Sequence, residues 1–368
     1  MKACTLVALG ALAVGCSSTS DARGDGGEDT AITTATPTGD GGGTAEDDGG
    51  PGGGTAEGDG ADGTGPGGDG ADGTLPKFDV GSPDGEAMCG GGQGNGETHS
   101  FIWIANSSQG TVSKINTQTM VEEGRYVVRP DQAGNPSRTS VALSGNVAVA
   151  NRAGGVVKIY SNAADCVDSN GMAGIQTSTG GGDILPWGTE ECVAWYTPFG
   201  YSTQRPVAWA QGDLNPATCK YENEKLWTAG GNNAGTADVL LLDGETGVVE
   251  DMVTINNGVG WAQLYGGAVD GDGNFWTVDH NWNGPSTLYR VMRGDLSVQS
   301  WPVEGQVHYG LAVDTVGRAW LCGSGGASRF DPGPQTWTHL APLNGGSALG
   351  GCMTDGQGTL WTSPYPSA

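Results

Sequence analysis

Short apolar runs broken by Asp and Gly recur through the later part of the chain, and almost none of them keeps a helical period. Three of these runs, YGGAVD, YGLAVD and GGCMTD, end at Asp270, Asp314 and Asp355, and each Asp is followed by Gly after three residues and by Trp after six. Asp and Gly at this spacing favour a tight turn, where Gly supplies positive φ. The pattern predicts a strand, a turn and a second strand that begins at the Trp, with a further short strand after it.

The spacing of the second strands indicates an architecture. Second strands are predicted at six positions: Trp103, Ala148, Trp227, Trp276, Trp320 and Trp361. Four of the five intervals between them are 41 to 49 residues long, and a period in the forties made of short strands is typical of propeller blades. First strands are predicted near five positions: Ser140, Pro206, Gly267, Leu311 and Cys352. We therefore predict an all-β fold, a β-propeller of about five to six four-stranded blades over residues 98–368.

The closure of the predicted ring leaves alternatives open. No first strand is predicted before Phe101. In the simplest closure, the strand at Cys352 therefore serves as the first strand of the blade that begins at Phe101. This arrangement gives five complete blades, hides both sheet edges and leaves a spare strand at 360–362. A sixth, partial blade fits the pattern equally well, and so does a fragment of a longer parent.

An insertion at about residues 161–200 interrupts the repeat. From Ala148 to Trp227 the chain advances 79 residues, and the surplus contains two Cys and four aromatic residues. These are Cys166, Trp187, Cys192, Trp195, Tyr196 and Phe199. Two interpretations stay open: a lid or recognition loop on one propeller face, or a strapped loop that packs its own aromatic residues on the blade edge.

Composition separates the segment that precedes the repeats. The chain has 69 Gly among 368 residues and a formal net charge of −25, and residues 17–97 hold 17 acidic side chains against two basic ones. Such a segment has too little apolar surface to offset the entropy of ordering, so we predict a disordered, acidic, Gly-rich tether. The strong acidity also argues against a nucleic-acid partner, whose phosphates would repel it.

The first sixteen residues, MKACTLVALGALAVGC, combine one Lys, a short apolar run and small residues before Cys16. This pattern is typical of an export signal and is too short to span a bilayer. Its end resembles the lipobox of bacterial lipoproteins, in which the Cys is lipidated and becomes the mature N-terminus. The resemblance implies membrane attachment through a lipid on Cys16 and, since Ser17 follows, an outer membrane lipoprotein or a cell-surface location. An ordinary cleaved secretory signal is the alternative, and either one exports the protein.

Export favours disulfides, because the compartments outside the cytoplasm are oxidising. Six Cys remain after the signal segment, which allows fifteen pairings. Position along the repeat favours one set: Cys322–Cys352 between adjacent blades, Cys166–Cys192 within the insertion, and Cys89–Cys219. No Cys/His cluster has the spacing of zinc ligands, so no zinc site is predicted.

The repeat apolar-Ala-Val-Asp-x-x-Gly-x-x-Trp resembles the repeats of virginiamycin B lyase-like and NHL-type propellers, over roughly residues 99–363. For the streptogramin lyases, the resemblance implies a metal-assisted elimination by a Glu three places after the Trp, acting together with His. The third places in this chain are Asn106, Asn151, Gly230, Asp279, Gly323 and Pro364. The chain departs from the lyase pattern there, because Asp279 supplies a carboxylate but no Glu is present.

Asp279, His280 and His308 are the candidate catalytic residues. Asp279 and His280 follow one inner strand and His308 begins another, so all three can face one mouth of the central channel, where His can exchange protons near neutral pH. Ordinary hydrogen-bonded loop histidines are the alternative. The segment from Asp270 begins like a calcium loop, but Asn281 stands where an EF-hand has its last acidic ligand. No cofactor or metal is therefore assigned, with calcium or magnesium left open.

Two functions of different classes agree with these patterns. One is an exported, lipid-anchored propeller that acts as a ligand- or protein-binding module of the cell envelope. The other is a metal-assisted lyase or hydrolase with its site at the channel mouth. An enzyme would place several ionisable side chains and a metal at one mouth, whereas a binding platform would not.

Overall fold

The computed structural model describes residues 100–215, 217, 220–232, 235–259, 263–281, 285–304, 308–323, 326–340 and 349–364. Strands dominate these ranges, and the helical structure within them is confined to two short 3-10 turns, Ser107–Gln109 and Ala163–Asp165. In the same ranges, no helix is long and apolar enough to cross a membrane. The predicted signal segment, Cys16 and the predicted tether lie outside the described residues.

The strands form successive antiparallel sheets, which we number as blades in chain order. Blade 1 has three strands: β1 (Phe101–Asn106), β2 (Thr111–Asn116) and β3 (Glu122–Val127). Blade 2 has four: β4 (Pro136–Val141), β5 (Val147–Asn151), β6 (Val156–Ile159) and β7 (Val193–Thr197). A two-stranded hairpin, β9 (Asp213–Asn215) and β10 (Lys220–Glu222), follows β8 (Thr203–Ala210), the first strand of blade 3. The other strands of blade 3 are β11 (Lys225–Gly231), β12 (Gly235–Asp243) and β13 (Val249–Val259).

Blades 4 and 5 repeat the four-stranded pattern of blade 2, and blade 6 has two strands. Blade 4 consists of β14 (Leu264–Val269), β15 (Phe275–Asp279), β16 (Thr287–Val291) and β17 (Val298–Pro302). Blade 5 consists of β18 (His308–Val313), β19 (Ala319–Gly323), β20 (Gly326–Asp331) and β21 (Thr336–Leu340). Blade 6 consists of β22 (Leu349–Thr354) and β23 (Leu360–Pro364). The all-β propeller predicted from the repeat is confirmed, with every predicted first and second strand present.

Of the closures that the sequence left open, the sixth, partial blade is the one observed, and the pairing of the strand at Cys352 with the blade that begins at Phe101 is wrong within the described residues. The strand that contains Cys352, β22, pairs with β23, and β1 pairs with β2 but not with β22. The turn from Asp355 to Thr359 explains this result, because a short local turn costs less closure entropy than pairing with a strand some 250 residues earlier in the chain. The segment at 360–362 is therefore the partner of β22 and not a spare strand.

The hydrophobic core lies between neighbouring blades. Blades 3 and 4 share a buried cluster in which the rings of Trp227 and Phe275 stack at 5.7 Å. Blades 4 and 5 share another, which includes Trp276 and Phe330. Because each central blade is covered on both faces, its strands are nearly continuous apolar runs, as in VAVAN of β5, where every residue is buried. This packing accounts for one large aromatic side chain in most repeats.

The insertion packs along the outer edge of blade 1. Ser178 Oγ accepts a hydrogen bond of 3.1 Å from the backbone N–H of Arg125 in β3, and Gly181 N donates one of 3.1 Å to Glu122 Oε2. Trp187 packs edge-on against Tyr196 at 5.5 Å. These contacts agree with a strapped loop on the blade edge. The predicted limits need one correction, since 193–197 is β7, the fourth strand of blade 2, and the inserted segment ends before it.

Two disulfides lie in the described part of the chain, and both pairings were predicted from the repeat. Cys322 in β19 bonds to Cys352 in β22 and thereby joins blade 5 to blade 6, with their Cα atoms 6.0 Å apart. Cys166 bonds to Cys192 and closes the insertion at the start of β7. The third predicted pair, Cys89–Cys219, lies outside the described residues.

Candidate functional site

The first strands of blades 2 to 6 lie side by side in chain order: β4, β8, β14, β18 and β22. We call them the inner strands, since each forms one edge of its blade. A β-bulge interrupts the pairing near the N-terminal end of each one. Five equivalent residues occupy this bulge: Ser137, Arg205, Tyr265, Tyr309 and Gly350. The bulges are therefore a shared feature of one end of the propeller.

A bulge changes the direction of a side chain, and bulges are frequent beside functional sites. In blade 4, Leu264 pairs with Asp279 and Gly266 with Val278, so Tyr265 is the extra residue. Gly266 has to be Gly because a Cβ there would lie 2.6 Å from Cβ of Leu311 on the next inner strand. The close approach of β14 and β18 thus brings the bulged side chains of neighbouring blades together.

Arg205 and Tyr265 form the first contact of this site. Nη1 of Arg205 donates a hydrogen bond of 3.0 Å to Oη of Tyr265, and its guanidinium carbon lies 4.5 Å from the centre of the Tyr265 ring. Tyr265 is itself 6% exposed and packs against Tyr309 with the ring centres 4.7 Å apart. Blades 3, 4 and 5 therefore each supply one side chain to the same place.

Arg138 reaches this place from blade 2. Its guanidinium carbon lies 5.0 Å from the ring centre of Tyr265 and 4.8 Å from that of Tyr309, a geometry that suits cation–π attraction. Its Nη2 lies 3.5 Å from the carbonyl oxygen of Tyr309, a long hydrogen bond. Arg138 therefore extends from β4 of blade 2 to a residue of β18 in blade 5, across the end of the inner strands.

Arg152 and His280 occupy equivalent places, each directly after the second strand of its blade. Arg152 is held by Ser137 Oγ and Asn135 Oδ1, both 3.2 Å from its guanidinium nitrogens. His280 is 2% exposed, and its ring centre lies 4.5 Å from that of Tyr265. We refer to Arg138, Arg152, Arg205, Tyr265 and Tyr309 as the arginine–tyrosine cluster.

The cluster brings three positively charged guanidinium groups close together. Burial lowers the pKa of Arg205, the charges of Arg152 and Arg138 lower it further, and the phenols of Tyr265 and Tyr309 act in the opposite direction. Burial raises the pKa of Tyr265 to about 12, with Arg205 opposing this shift, so the phenol stays neutral at physiological pH. The site therefore carries net positive charge in a partly desolvated setting.

The structure separates two of the predicted catalytic residues. Asp279 and His280 are adjacent in the chain and both buried, but His280 packs beside Tyr265, whereas the charge of Asp279 acts on the buried phenol of Tyr289. His308 begins β18 and pairs with Gly323. Its side chain lies outside the described part of the chain. His280 thus lies beside the arginine–tyrosine cluster, whereas Asp279 acts on Tyr289, which belongs to the core shared by blades 3 and 4.

The start of the apparent calcium loop has another role. Oδ1 of Asp270 accepts from the backbone N–H of Asn274 at 3.0 Å, and Oδ2 accepts from Trp276 Nε1 at 2.9 Å and from Arg290 Nη2 at 2.6 Å. The carboxylate is 3% exposed and already has strong donors on both oxygens. No group of three or more His, Cys, Asp or Glu side chains placed to hold a metal occurs among the described residues.

Sequence reasoning missed the arginines and tyrosines of the cluster, although an alignment signal for three of them exists. Arg205, Tyr265 and Tyr309 each stand three residues before the Ala that pairs with the Trp of the next strand. Lining up the inner strands on that Ala puts the three in one column. Arg138 and Arg152 do not fall in this column. Both belong to blade 2, where they occupy other positions of the strand register.

Comparison with known proteins identifies the fold. No family model and no curated protein matches the chain. Similar solved structures include the WD40 repeats of RRP9, with 7% identity, 72% of this chain and 70% of that chain covered, and a TM-score of 0.50. An inactive virginiamycin B lyase from Staphylococcus aureus with quinupristin shares 11% identity over 72% of this chain and 73% of its own, with a TM-score of 0.45. A streptogramin B lyase shares 11% identity over 72% and 87%, with a TM-score of 0.41.

At these identities the likeness shows the fold alone, a β-propeller. The resemblance of the repeat to virginiamycin B lyase-like propellers implied this fold, and the fold is confirmed. Propellers serve both as binding modules and as enzymes, so the function has to be argued from the site.

Proposed function

We propose that this protein is an exported, lipid-anchored β-propeller that acts as a ligand-binding module of the cell envelope, with its ligand site at the arginine–tyrosine cluster. The observation that carries the proposal is the convergence of Arg138, Arg205, Tyr265 and Tyr309 from four different blades at one end of the inner strands. Ligand sites typically combine aromatic walls with a few convergent polar groups. Blade edges that only pack against each other do not need three guanidinium groups in one place.

Export is supported by two features of the chain. The disulfides Cys166–Cys192 and Cys322–Cys352 indicate an oxidising compartment. The segment before Cys16 resembles a lipoprotein export signal, which would attach the mature chain to the outer membrane or the cell surface. The acidic, Gly-rich segment predicted as a tether would let the site reach ligands away from the membrane surface.

Anchoring is tested by Cys16→Ser in the native host. The parent should sediment with outer membranes, and the variant should appear in soluble fractions or remain as an unprocessed precursor. A Ser variant that sediments with membranes after processing would show that Cys16 does not carry the anchor.

Ligand binding is tested with the small-molecule fraction of a host envelope extract. The exported chain is incubated with the extract, desalted and examined by native mass spectrometry, beside Arg138→Gln/Arg205→Gln. Arg293→Gln is the matched control, because Arg293 follows β16 at the opposite end of blade 4. We expect a retained mass with the parent and the control that is absent from the double variant. Identical retention by all three proteins would refute a site at the cluster.

A further inference from the structure

The arginine–tyrosine cluster has positive charge that no described carboxylate balances. Four of the six other described arginines have a carboxylate partner: Arg125, Arg129, Arg290 and Arg318 lie 2.7, 3.0, 2.6 and 2.7 Å from a carboxylate oxygen, and Arg293 and Arg329 are the exceptions. Within the described residues, no ion pair of this kind involves the three arginines of the cluster.

The neighbouring groups do not supply the missing negative charge. The phenol of Tyr265 is neutral at physiological pH, because burial raises its pKa to about 12. The charge of Asp279 acts on Tyr289, whereas the largest influences on the pKa of Arg205 are burial and the groups Tyr265, Arg152, Tyr309 and Arg138. Three like charges therefore repel one another in a partly desolvated site, which costs folding free energy unless an anion is present.

The donors of the cluster are held in fixed directions. The ring of Tyr265 supports one face of the Arg205 guanidinium, and Tyr265 and Tyr309 flank that of Arg138. Each guanidinium has five N–H donors, whereas the structure gives Arg205 one hydrogen bond and Arg138 one long one. Nε of both side chains is shielded from solvent and has no acceptor in the described part of the chain. Buried donors of this kind call for a missing acceptor.

We infer that the ligand of this site presents an oxyanion, a carboxylate or a phosphate, to Arg138 and Arg205, with Arg152 adding charge from the side. The inference rests on the proposed function, since it names the class of ligand for the same site. Planar, fixed guanidinium groups match the oxygens of carboxylate and phosphate in paired hydrogen bonds, which an ammonium group does not. Bound anion would relieve the repulsion among the three arginines and stabilise the folded protein.

The test measures the thermal unfolding midpoint of the exported chain in sodium phosphate, sodium acetate and sodium chloride at one ionic strength. Chloride reports general screening, and the phosphate and acetate series distinguish the two oxyanion sources. We expect the midpoint to rise with phosphate or acetate concentration beyond the chloride series, and the apparent affinity to fall at least ten-fold in Arg205→Gln. Arg293→Gln should match the parent in every salt.

Two results would overturn the inference. One is a midpoint that follows ionic strength alike in all three salts, which is screening alone. The other is an oxyanion effect that persists undiminished in Arg205→Gln. If Arg205→Gln does not fold, Arg152→Gln and Arg205→Lys are measured by calorimetric titration with inorganic phosphate and acetate, and undiminished affinity in both contradicts the inference.

Failure of this inference is distinguishable from failure of the proposed function. Suppose that the parent retains a neutral molecule from the extract and Arg138→Gln/Arg205→Gln does not. This result would support the binding site and contradict an oxyanion as its ligand. If the parent itself shows neither a retained mass nor a phosphate or acetate effect, the proposed binding site is wrong.

Discussion

The indole Nε1 of Trp276 donates a hydrogen bond of 2.9 Å to Oδ2 of Asp270, six residues earlier in the chain. The two other copies of the motif have the same bond: Trp320 to Asp314 at 2.9 Å and Trp361 to Asp355 at 2.8 Å. In each copy the other carboxylate oxygen accepts backbone N–H groups of the turn. The repeated motif therefore places a carboxylate that closes the turn and fixes the Trp at the start of the second strand.

Asp270 and Asp314 each have a guanidinium partner as well, Arg290 and Arg318, whereas Asp355 has no such ion pair in the described residues. Arg290 Nη2 lies 2.6 Å from Oδ2, and the Asp270 side chain is 3% exposed. Asp270→Ala would leave the indole of Trp276 and the guanidinium of Arg290 without their acceptor. We expect a loss of about 2–4 kcal/mol in the free energy of unfolding, measured by urea titration.

Asp355→Ala is the matched control, because Asp355 makes the same turn and indole bonds at an exposed position. Water can replace its carboxylate, so we expect a clearly smaller loss than for Asp270→Ala. Equal losses for the two variants would show that burial and the Arg290 partner do not set the strength of this motif.

The disulfide between β19 and β22 should hold blade 6 on blade 5. Blade 6 has two strands and pairs with no other sheet in the described residues, so its attachment depends on the inner-strand contact and on Cys322–Cys352. In Cys322→Ser/Cys352→Ser we expect hydrogen exchange in β22 and β23 to rise at least ten-fold, with β8 and β14 little changed. The bond should contribute roughly 2–4 kcal/mol. Unchanged exchange in β22 would show that packing alone holds the blade.

The repeat predicted most of the fold because each blade reuses the same turn chemistry. The Asp-Gly-Trp spacing located the second strands, and the apolar run before each Asp located the first ones. The hairpin β9–β10 was not predicted, since it lies inside the expected turn of blade 3 and has no copy elsewhere. The closure was left open between a five-blade ring and a sixth, partial blade, because strand order alone does not reveal that β22 pairs locally with β23.

The candidate site was predicted only in part, for a physical reason. The position of a residue along its strand predicts at which end of the propeller it lies. Asp279 and His280 do lie at the bulged end of blade 4, as predicted. Position does not give the direction of a side chain: the ring of His280 packs against Tyr265, whereas the charge of Asp279 acts on Tyr289. Arg138 contributes through a long side chain that reaches blades 4 and 5, and no short motif records such a contact.

Glu191 organises the insertion through backbone hydrogen bonds. Its carboxylate accepts N–H groups of Ser169, Asn170 and Gln176 at 2.7, 2.9 and 2.9 Å. These bonds hold the pKa of Glu191 below its usual value, so the stabilisation is present above pH 4.5 and is lost as the pH falls through the lowered pKa. Glu191→Gln should therefore increase proteolytic cleavage between 166 and 192 at neutral pH.

The control for this prediction is Glu250→Gln, which removes a surface carboxylate on β13 that pairs with Lys225. It should leave cleavage of the insertion at the parent rate. A Glu191→Gln protein that resists protease as the parent does would show that the disulfide Cys166–Cys192 alone orders the segment.

Glu224 is a buried carboxyl group with an unusual titration. It is 2% exposed, and its Oε2 accepts a hydrogen bond of 3.1 Å from Ser144 Oγ. Burial raises the pKa of Glu224 to about 7, while Ser144 and Lys158 oppose the shift and Glu245 adds to it. The native protein thus binds a proton that the unfolded chain releases near pH 4.5. The stabilisation is complete below that pH and is lost as the pH rises through about 7.

Glu224→Gln tests this pH dependence, because Gln keeps a carbonyl oxygen for Ser144 and cannot ionise. Relative to the variant, the parent should lose about 3 kcal/mol of unfolding free energy between pH 5 and pH 8, in line with a carboxyl whose pKa is raised by burial. Urea titrations of both proteins at the two pH values give this difference, and comparison with the variant cancels the titration of the histidines. A difference that does not change with pH would mean that Glu224 ionises in the native protein as it does in water.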